Sequence, residues 1–159
     1  MELLLIRHGK AEDYHPFGDS ARPLTAKGIR QAQKAGAFCT LVNWLPELVL
    51  TSPYVRAQET ANHFCTAANL ANSVIQGWLS CGMSPQLALS ELSAFNDFNR
   101  IAIVGHEPDF SCLIQTLLGA NAGTIEIKKA SLTCIEISPP SSYGTLKFLI
   151  PSKFTVANL

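Results

Sequence analysis

The sequence predicts an α/β protein, a three-layer α/β/α sandwich around a mostly parallel sheet with an antiparallel hairpin at one edge. Three observations carry that prediction. Short apolar runs at Leu3-Leu4-Leu5-Ile6, Leu48-Val49-Leu50-Thr51 and Ile101-Ala102-Ile103-Val104 read as strands buried on both faces, as in parallel sheets. Helical spacing of apolar residues follows each run. Towards the end, Leu132 to Ile137 and Thr145 to Ile150 alternate like strands, with Pro139-Pro140-Ser141-Ser142 and Gly144 between them, and so predict the hairpin.

Taken in order, the first strand ends at Arg7-His8-Gly9, and Gly9 lets the backbone turn or approach a bound group. Residues 10–23 are polar, broken by Pro16, Gly18 and Pro23, and long enough to fold over a site at the strand end. Glu12, Asp13, His15, Asp19 and Arg22 lie there; Arg22 stands out because Arg22-Pro23-Leu24-Thr25 leads straight into a helix. Thr25 is the expected N-cap, Ile29, Ala32, Gly36 and Cys39 mark the apolar face, and the helix ends near Val42. Trp44 and Pro46 belong to the connection into the second strand. Ser52 is expected to cap the next helix, with Pro53 at its first position and Ala57, Ala61, Phe64, Cys65 and Ala68 on its packed face. Arg56 falls in its first turn, beside free N–H groups that favour an anion. Val74-Ile75-Gln76 reads as a short strand, and Pro85 starts a helix with Leu87, Leu89 and Leu92 towards the core. The third apolar strand ends in Gly105-His106-Glu107-Pro108; Pro108 opens a helix carrying Phe110, Leu113, Ile114, Leu117 and Leu118 on one face, and Gly119 terminates it.

With 159 residues, a single domain over 1–159 is expected. A hydrophobic content of 47% with only 15% charged residues excludes a disordered chain. Twelve Lys+Arg balance twelve Asp+Glu, so no global field points to nucleic acid and no polybasic run to a membrane surface; an anion must be held locally. Glu2 and an apolar run that stops at Arg7 do not resemble a signal peptide, and no apolar stretch approaches a transmembrane length, so a cytoplasmic protein is expected. Cys39, Cys65, Cys81, Cys112 and Cys134 are scattered, odd in number and without C-x-x-C spacing. They read as small buried hydrophobes in a reducing compartment. None has an arginine six residues later, which leaves cysteine a poor candidate for phosphate chemistry, and no metal or cofactor is expected.

Ligands of open α/β sheets bind beyond the carboxyl ends of strands. There the three corners supply Arg7 with His8, Arg56, and His106. Guanidiniums suit a phosphoryl group, and the expected chemistry is attack of the His8 imidazole on phosphorus. Neutral imidazole is a competent nucleophile, with a reference pKa of roughly 6.5. It attacks with its unprotonated nitrogen, so the other ring nitrogen should donate to a backbone carbonyl or carboxylate. His106, if kept protonated by the phosphate, would add a cationic donor. Two other classes remain: a non-catalytic phosphate-binding module, and a metal site at His8, His106 and acidic neighbours, which the arginines disfavour.

The quoted residues, with Gly28, Ser52-Pro53, Arg56-Ala57, Thr60-Ala61, Leu117-Leu118-Gly119 and Lys128-Lys129-Ala130-Ser131-Leu132, resemble the histidine phosphatase (phosphoglycerate mutase-like) superfamily over nearly the whole chain. Within it the likeness is to the short SixA-type phosphohistidine phosphatases. The resemblance implies a phosphoglycerate mutase-like fold and His8 as the residue that becomes phosphorylated, with Arg7, Arg56 and His106 forming the phosphate pocket. It also implies Arg22 as a further arginine at the site, and as partner a protein carrying phosphohistidine, such as a phosphorelay or phosphotransfer domain. Phosphate or sulfate would fit the same place. Glu59 departs from the glutamine common in the family. Glu107, next to His106, is the first candidate for the general acid, followed by Glu12 and Asp13. An imidazole leaving group is less basic than an alkoxide and needs that acid less. The short chain also leaves little to build a deep pocket, so a protein phosphohistidine is favoured over small phosphate esters or phosphoramidates.

Overall fold

The computed structural model describes residues 1–155. Its main elements are β1 (Glu2–Arg7), α1 (Ala26–Leu41), β2 (Leu48–Thr51), α2 (Val55–Ala68), β3 (Val74–Ile75), α3 (Pro85–Leu92), β4 (Arg100–Gly105), α4 (Asp109–Leu118), β5 (Leu132–Ile137) and β6 (Gly144–Ile150). One six-stranded sheet runs β3-β2-β4-β1-β5-β6; β1 to β4 pair in parallel, and β5 and β6 are added antiparallel. The last four residues of the expected 1–159 domain lie outside the described ones.

The apolar runs are continuous because each strand feeds two cores. Leu3, Leu5, Leu50, Ile101 and Ile103 face α3 and α4 through Leu89, Leu92, Phe110, Leu113 and Leu117. Leu4, Ile6, Val49, Ala102 and Val104 face α1 and α2 through Ala35, Cys39, Ala57, Ala61 and Phe64. Alternation along a pleated strand thus buries every residue, and helices cover both faces.

Register then places the corners. Arg7 pairs with Gly105, and Thr51 with Val104, so β1, β2 and β4 end within a residue of one another. The ladder continues one step beyond: His8 N–H donates to the Gly105 carbonyl at 3.0 Å, and Ser52 N–H to that of Val104 at 3.0 Å. His8, Ser52 and His106 therefore leave the sheet side by side.

Several local expectations hold. Thr25 caps α1, its hydroxyl accepting from Gly28 N–H at 3.2 Å, and α4 ends at Gly119 with φ 61°. Three are corrected. Helix α2 begins at Val55, not at Pro53, because the Ser52 hydroxyl accepts from Tyr54 N–H at 3.2 Å and closes a turn instead of a helix cap. Leu87 is exposed, since α3 packs through Ala88, Leu89 and Leu92. Cys81 and Cys112 are exposed while Cys39, Cys65 and Cys134 are buried, and all five are free thiols.

Candidate active site

At the β1 corner the chain turns back under its own histidine. His8 Nδ1 lies 2.8 Å from the Gly9 carbonyl oxygen; a carbonyl only accepts, so Nδ1 carries the proton and Nε2 the lone pair. The expected donation to a backbone carbonyl is met. Gly9 N–H donates to Thr60 Oγ1 at 3.0 Å, and that hydroxyl donates to the Arg56 carbonyl at 2.7 Å, so the corner is bolted to α2. Close approach explains the glycines: a Cβ on Gly9 would come within 2.7 Å of the Gly28 carbonyl oxygen, and one on Gly28 would collide with Lys10. From the other side Arg7 donates to the Ile127 carbonyl at 2.6 Å, and Ala130 N–H donates to the Arg7 carbonyl at 2.9 Å. That is what the Lys128-Lys129-Ala130 stretch does in the fold.

The β2 corner supplies Arg56, whose Nε–H donates to His8 Nε2 at 3.3 Å and whose guanidinium lies 4.9 Å from the centre of the Tyr54 ring. The β4 corner supplies His106. Its ring centre is 5.4 Å from that of His8, and its Nε2 is 2.7 Å from Ser52 Oγ. His8, Arg56 and His106 are 8%, 4% and 2% exposed. Arg7 Nε and His106 Nδ1 are buried without a hydrogen-bond partner among the described residues. Two orphaned nitrogens in one place are uncommon in folded proteins and mark a spot built for a polar group.

Burial dominates the electrostatics. It pulls the His8 imidazole down to about 3, against the Gly9 carbonyl and helped by the charges of His106, Arg56 and Arg7. His106 is brought down to about 4, again by burial and then by Arg56. Both rings are neutral at pH 7 as the protein stands, so a proton on His106 would have to arrive together with an anion.

The rim is looser. Arg22 donates through Nε to Asp19 Oδ1 at 2.8 Å and through a terminal nitrogen to the Glu12 carbonyl at 2.8 Å. Asp19 also receives Arg56, so it joins Arg22 to the inner cluster. Asp13 borders a cleft of about 320 Å³ with Tyr14, His15, Gly18, Asp19 and Arg22. Glu107 is half-buried and accepts from Ser111 N–H at 3.1 Å; burial raises its pKa, with Ser111 and Arg7 working against the rise. Glu59 ties two elements together, accepting from Leu24 N–H at 2.6 Å. Asp19, Tyr54 and Thr60 are site neighbours to which the sequence patterns assigned no role, and Ser52 meets His106 instead of capping a helix. For Ser52 and Tyr54 the available signal was a hydroxyl or ring within three residues of the β2 corner; Asp19, in an aperiodic loop, and Thr60, inside α2, offered none.

Among the described residues no group of three or more His, Cys, Asp or Glu is placed to hold a metal ion, and no helix is long and apolar enough to cross a membrane. The sequence model of the histidine phosphatase superfamily (branch 1) matches residues 3–78, a span that includes Arg7, His8, Arg22 and Arg56. A Picosynechococcus protein is 31% identical over 137 residues, covering 83% of this chain and 82% of its own.

The chain belongs to the histidine phosphatase superfamily.

Members of this superfamily are phosphatases. Its relatives include the phosphohistidine phosphatase SixA of Escherichia coli, 32% identical over 90 residues and 52% of each chain. The adenosylcobalamin/alpha-ribazole phosphatase of the same organism is 24% identical, over 99% of this chain and 100% of its own. The solved structure of the protein histidine phosphatase SixA complexed with tungstate superimposes with a TM-score of 0.86 at 21% identity, over 96% of this chain and 98% of that one. The phosphoglycerate mutase-like fold is thereby established.

Proposed function

We propose that the protein hydrolyses phosphohistidine carried on another protein, by way of a phosphoryl group held transiently on His8. His8 Nε2 attacks phosphorus as the phosphorus–nitrogen bond to the substrate imidazole breaks; that imidazole leaves with the electron pair and is protonated. Water then attacks phospho-His8, releasing orthophosphate and restoring the neutral ring. The observation that carries this reading is the His8 pair of contacts: a proton committed to Gly9 at 2.8 Å and a lone pair on Nε2 facing Arg56 at 3.3 Å. A neutral nucleophile beside a permanent cation is what phosphoryl transfer needs. Arg7, Arg56 and His106 bind the phosphoryl oxygens from inside and Arg22 from the rim. Arg7 Nε and His106 Nδ1, the two orphaned nitrogens, are the donors available for it. The SixA relative supports the substrate class. The free thiols fit a reducing cytoplasm.

One observation favours a second reading. Glu107, raised by burial, stands beside His106 and could protonate an alkoxide, as a small-ester phosphatase requires. Steady-state comparison of a phosphohistidine-bearing phosphotransfer domain with p-nitrophenyl phosphate and small phosphate esters separates them. We expect kcat/KM to favour the phosphoprotein by about 100-fold or more, a transition-state difference of roughly 3 kcal/mol. A preference for the esters, lost in Glu107→Gln, would assign the second reading instead.

A further inference from the structure

Every nitrogen of the Arg56 guanidinium is already engaged. Nε faces His8, one terminal nitrogen donates to the Asp19 carbonyl at 2.7 Å, and the other donates to Asp19 Oδ2 at 3.0 Å with Cys81 Sγ at 3.6 Å. Arg22 meets the same residue, with Nε 2.8 Å and a terminal nitrogen 2.6 Å from Asp19 Oδ1. Three oxygens of one residue thus fill donors on two arginines. A phosphoryl group presents the same number of oxygens to the same donors.

We propose that Asp19 is an internal anion that occupies the phosphoryl subsite in the resting protein and is displaced by the substrate. The proposal rests on the reading of Arg22 and Arg56 as phosphate ligands. Of the charged groups in this network, Asp19 is the most exposed. Its side chain is 58% exposed, against 5% for Arg56. It begins a three-residue 3-10 turn that buries nothing and follows Gly18 at φ 95°. Neighbouring Tyr14 and Phe17 are exposed and do not anchor the loop in the core. Arg56, by contrast, sits on α2, packed under Tyr54 and against His8.

The closed state agrees with this. His106 Nδ1 and Arg7 Nε have neither partner nor solvent access while Asp19 holds Arg56 and Arg22. Slight burial works the other way, but hydrogen bonds from Arg22 and then Arg56 hold the Asp19 carboxyl below the usual range, so it stays ionised and competes. A ligand that must displace an occupant binds more weakly by the fraction of open state. The same competition expels the product: once orthophosphate forms, Asp19 recaptures both arginines.

Binding of orthovanadate and inorganic phosphate to the full chain, with Asp19→Asn, Asp19→Ala and Arg56→Ala beside wild type, tests the idea. We expect both Asp19 variants to bind the anions about tenfold more tightly or better, with a lower KM and stronger product inhibition. Arg56→Ala should bind them weakly. A merely structural Asp19 gives the opposite sign: unchanged or weaker binding in variants whose thermal unfolding matches wild type would overturn the proposal while leaving the pocket in place. Should Arg56→Ala bind as wild type does, the pocket itself is wrong and the proposal falls with it.

Discussion

The inner cluster and the rim of this site are built in opposite ways. Arg7, His8, Arg56 and His106 leave the ends of strands and the start of a helix; Arg7 and His8 are braced by backbone carbonyls and His106 by the Ser52 hydroxyl, and His8, Arg56 and His106 are buried. Asp19 and Arg22 hang on a short turn, held to one another, to Arg56 and to the Glu12 carbonyl. A preorganised centre serves the transition state, because donors that need no rearrangement stabilise developing charge most. A yielding edge serves entry and exit. Removing an inner group should therefore act on the chemistry as well as on binding, and removing a rim group on binding alone.

The largest effect expected is on Arg56. Arg56→Ala should lower kcat/KM by about 10²–10³-fold, in kcat as well as in KM, and Arg56→Lys should recover little, since a single ammonium cannot reproduce the fork. Steady-state kinetics reads it; a pure KM effect would place Arg56 in the rim class.

Next comes the frame of the β1 corner. Gly28→Ala pushes a methyl into Lys10 and should destabilise the fold by about 2–3 kcal/mol in urea unfolding, with loss of activity in the folded fraction only through corner displacement. A neutral result would mean that the α1 N-terminus does not position His8.

The buried rings give the protein an acid liability. Their folded values of about 3 and about 4 lie below the 6.5 of an unperturbed histidine. Between those values the unfolded chain binds more protons, so stability is full above pH 6.5 and falls as pH is lowered. Going from pH 7 to pH 5 should cost up to about 2 kcal/mol per histidine, and His106→Gln should shrink the drop. A stability that rises on acidification would contradict neutral burial.

Arg22→Ala is the smallest change: about a tenfold rise in KM with kcat within about threefold, as for one partly exposed contact. A kcat collapse would move Arg22 into the centre and erase the distinction.

The same division decides what the sequence could reveal. The corners were legible because a run such as Leu3-Leu4-Leu5-Ile6 can only be a doubly buried strand, and whatever polar residue ends it must stand at the sheet edge. Parallel register then followed from the helices between strands. The rim was not legible. Residues 10–23 have no periodicity, and among Glu12, Asp13 and Asp19 nothing in the sequence says which carboxylate folds back onto Arg56. Ser52 misled for a related reason: a serine before Pro53 suits a helix cap, yet its hydroxyl is taken by Tyr54 and His106, and only the tertiary fold decides between them. Leu87 is a core residue by type, yet the helix packs through Ala88, Leu89 and Leu92 and leaves it exposed.

A phosphoryl group carried on His8 can be trapped. The protein is mixed with a phosphohistidine-bearing domain, quenched in base within milliseconds and digested for mass spectrometry. We expect an acid-labile, base-stable phosphoryl group on the peptide containing His8, absent from His8→Asn, which should also lose about 10³-fold or more in turnover. Unchanged turnover in His8→Asn, or a label on any other residue, would contradict it.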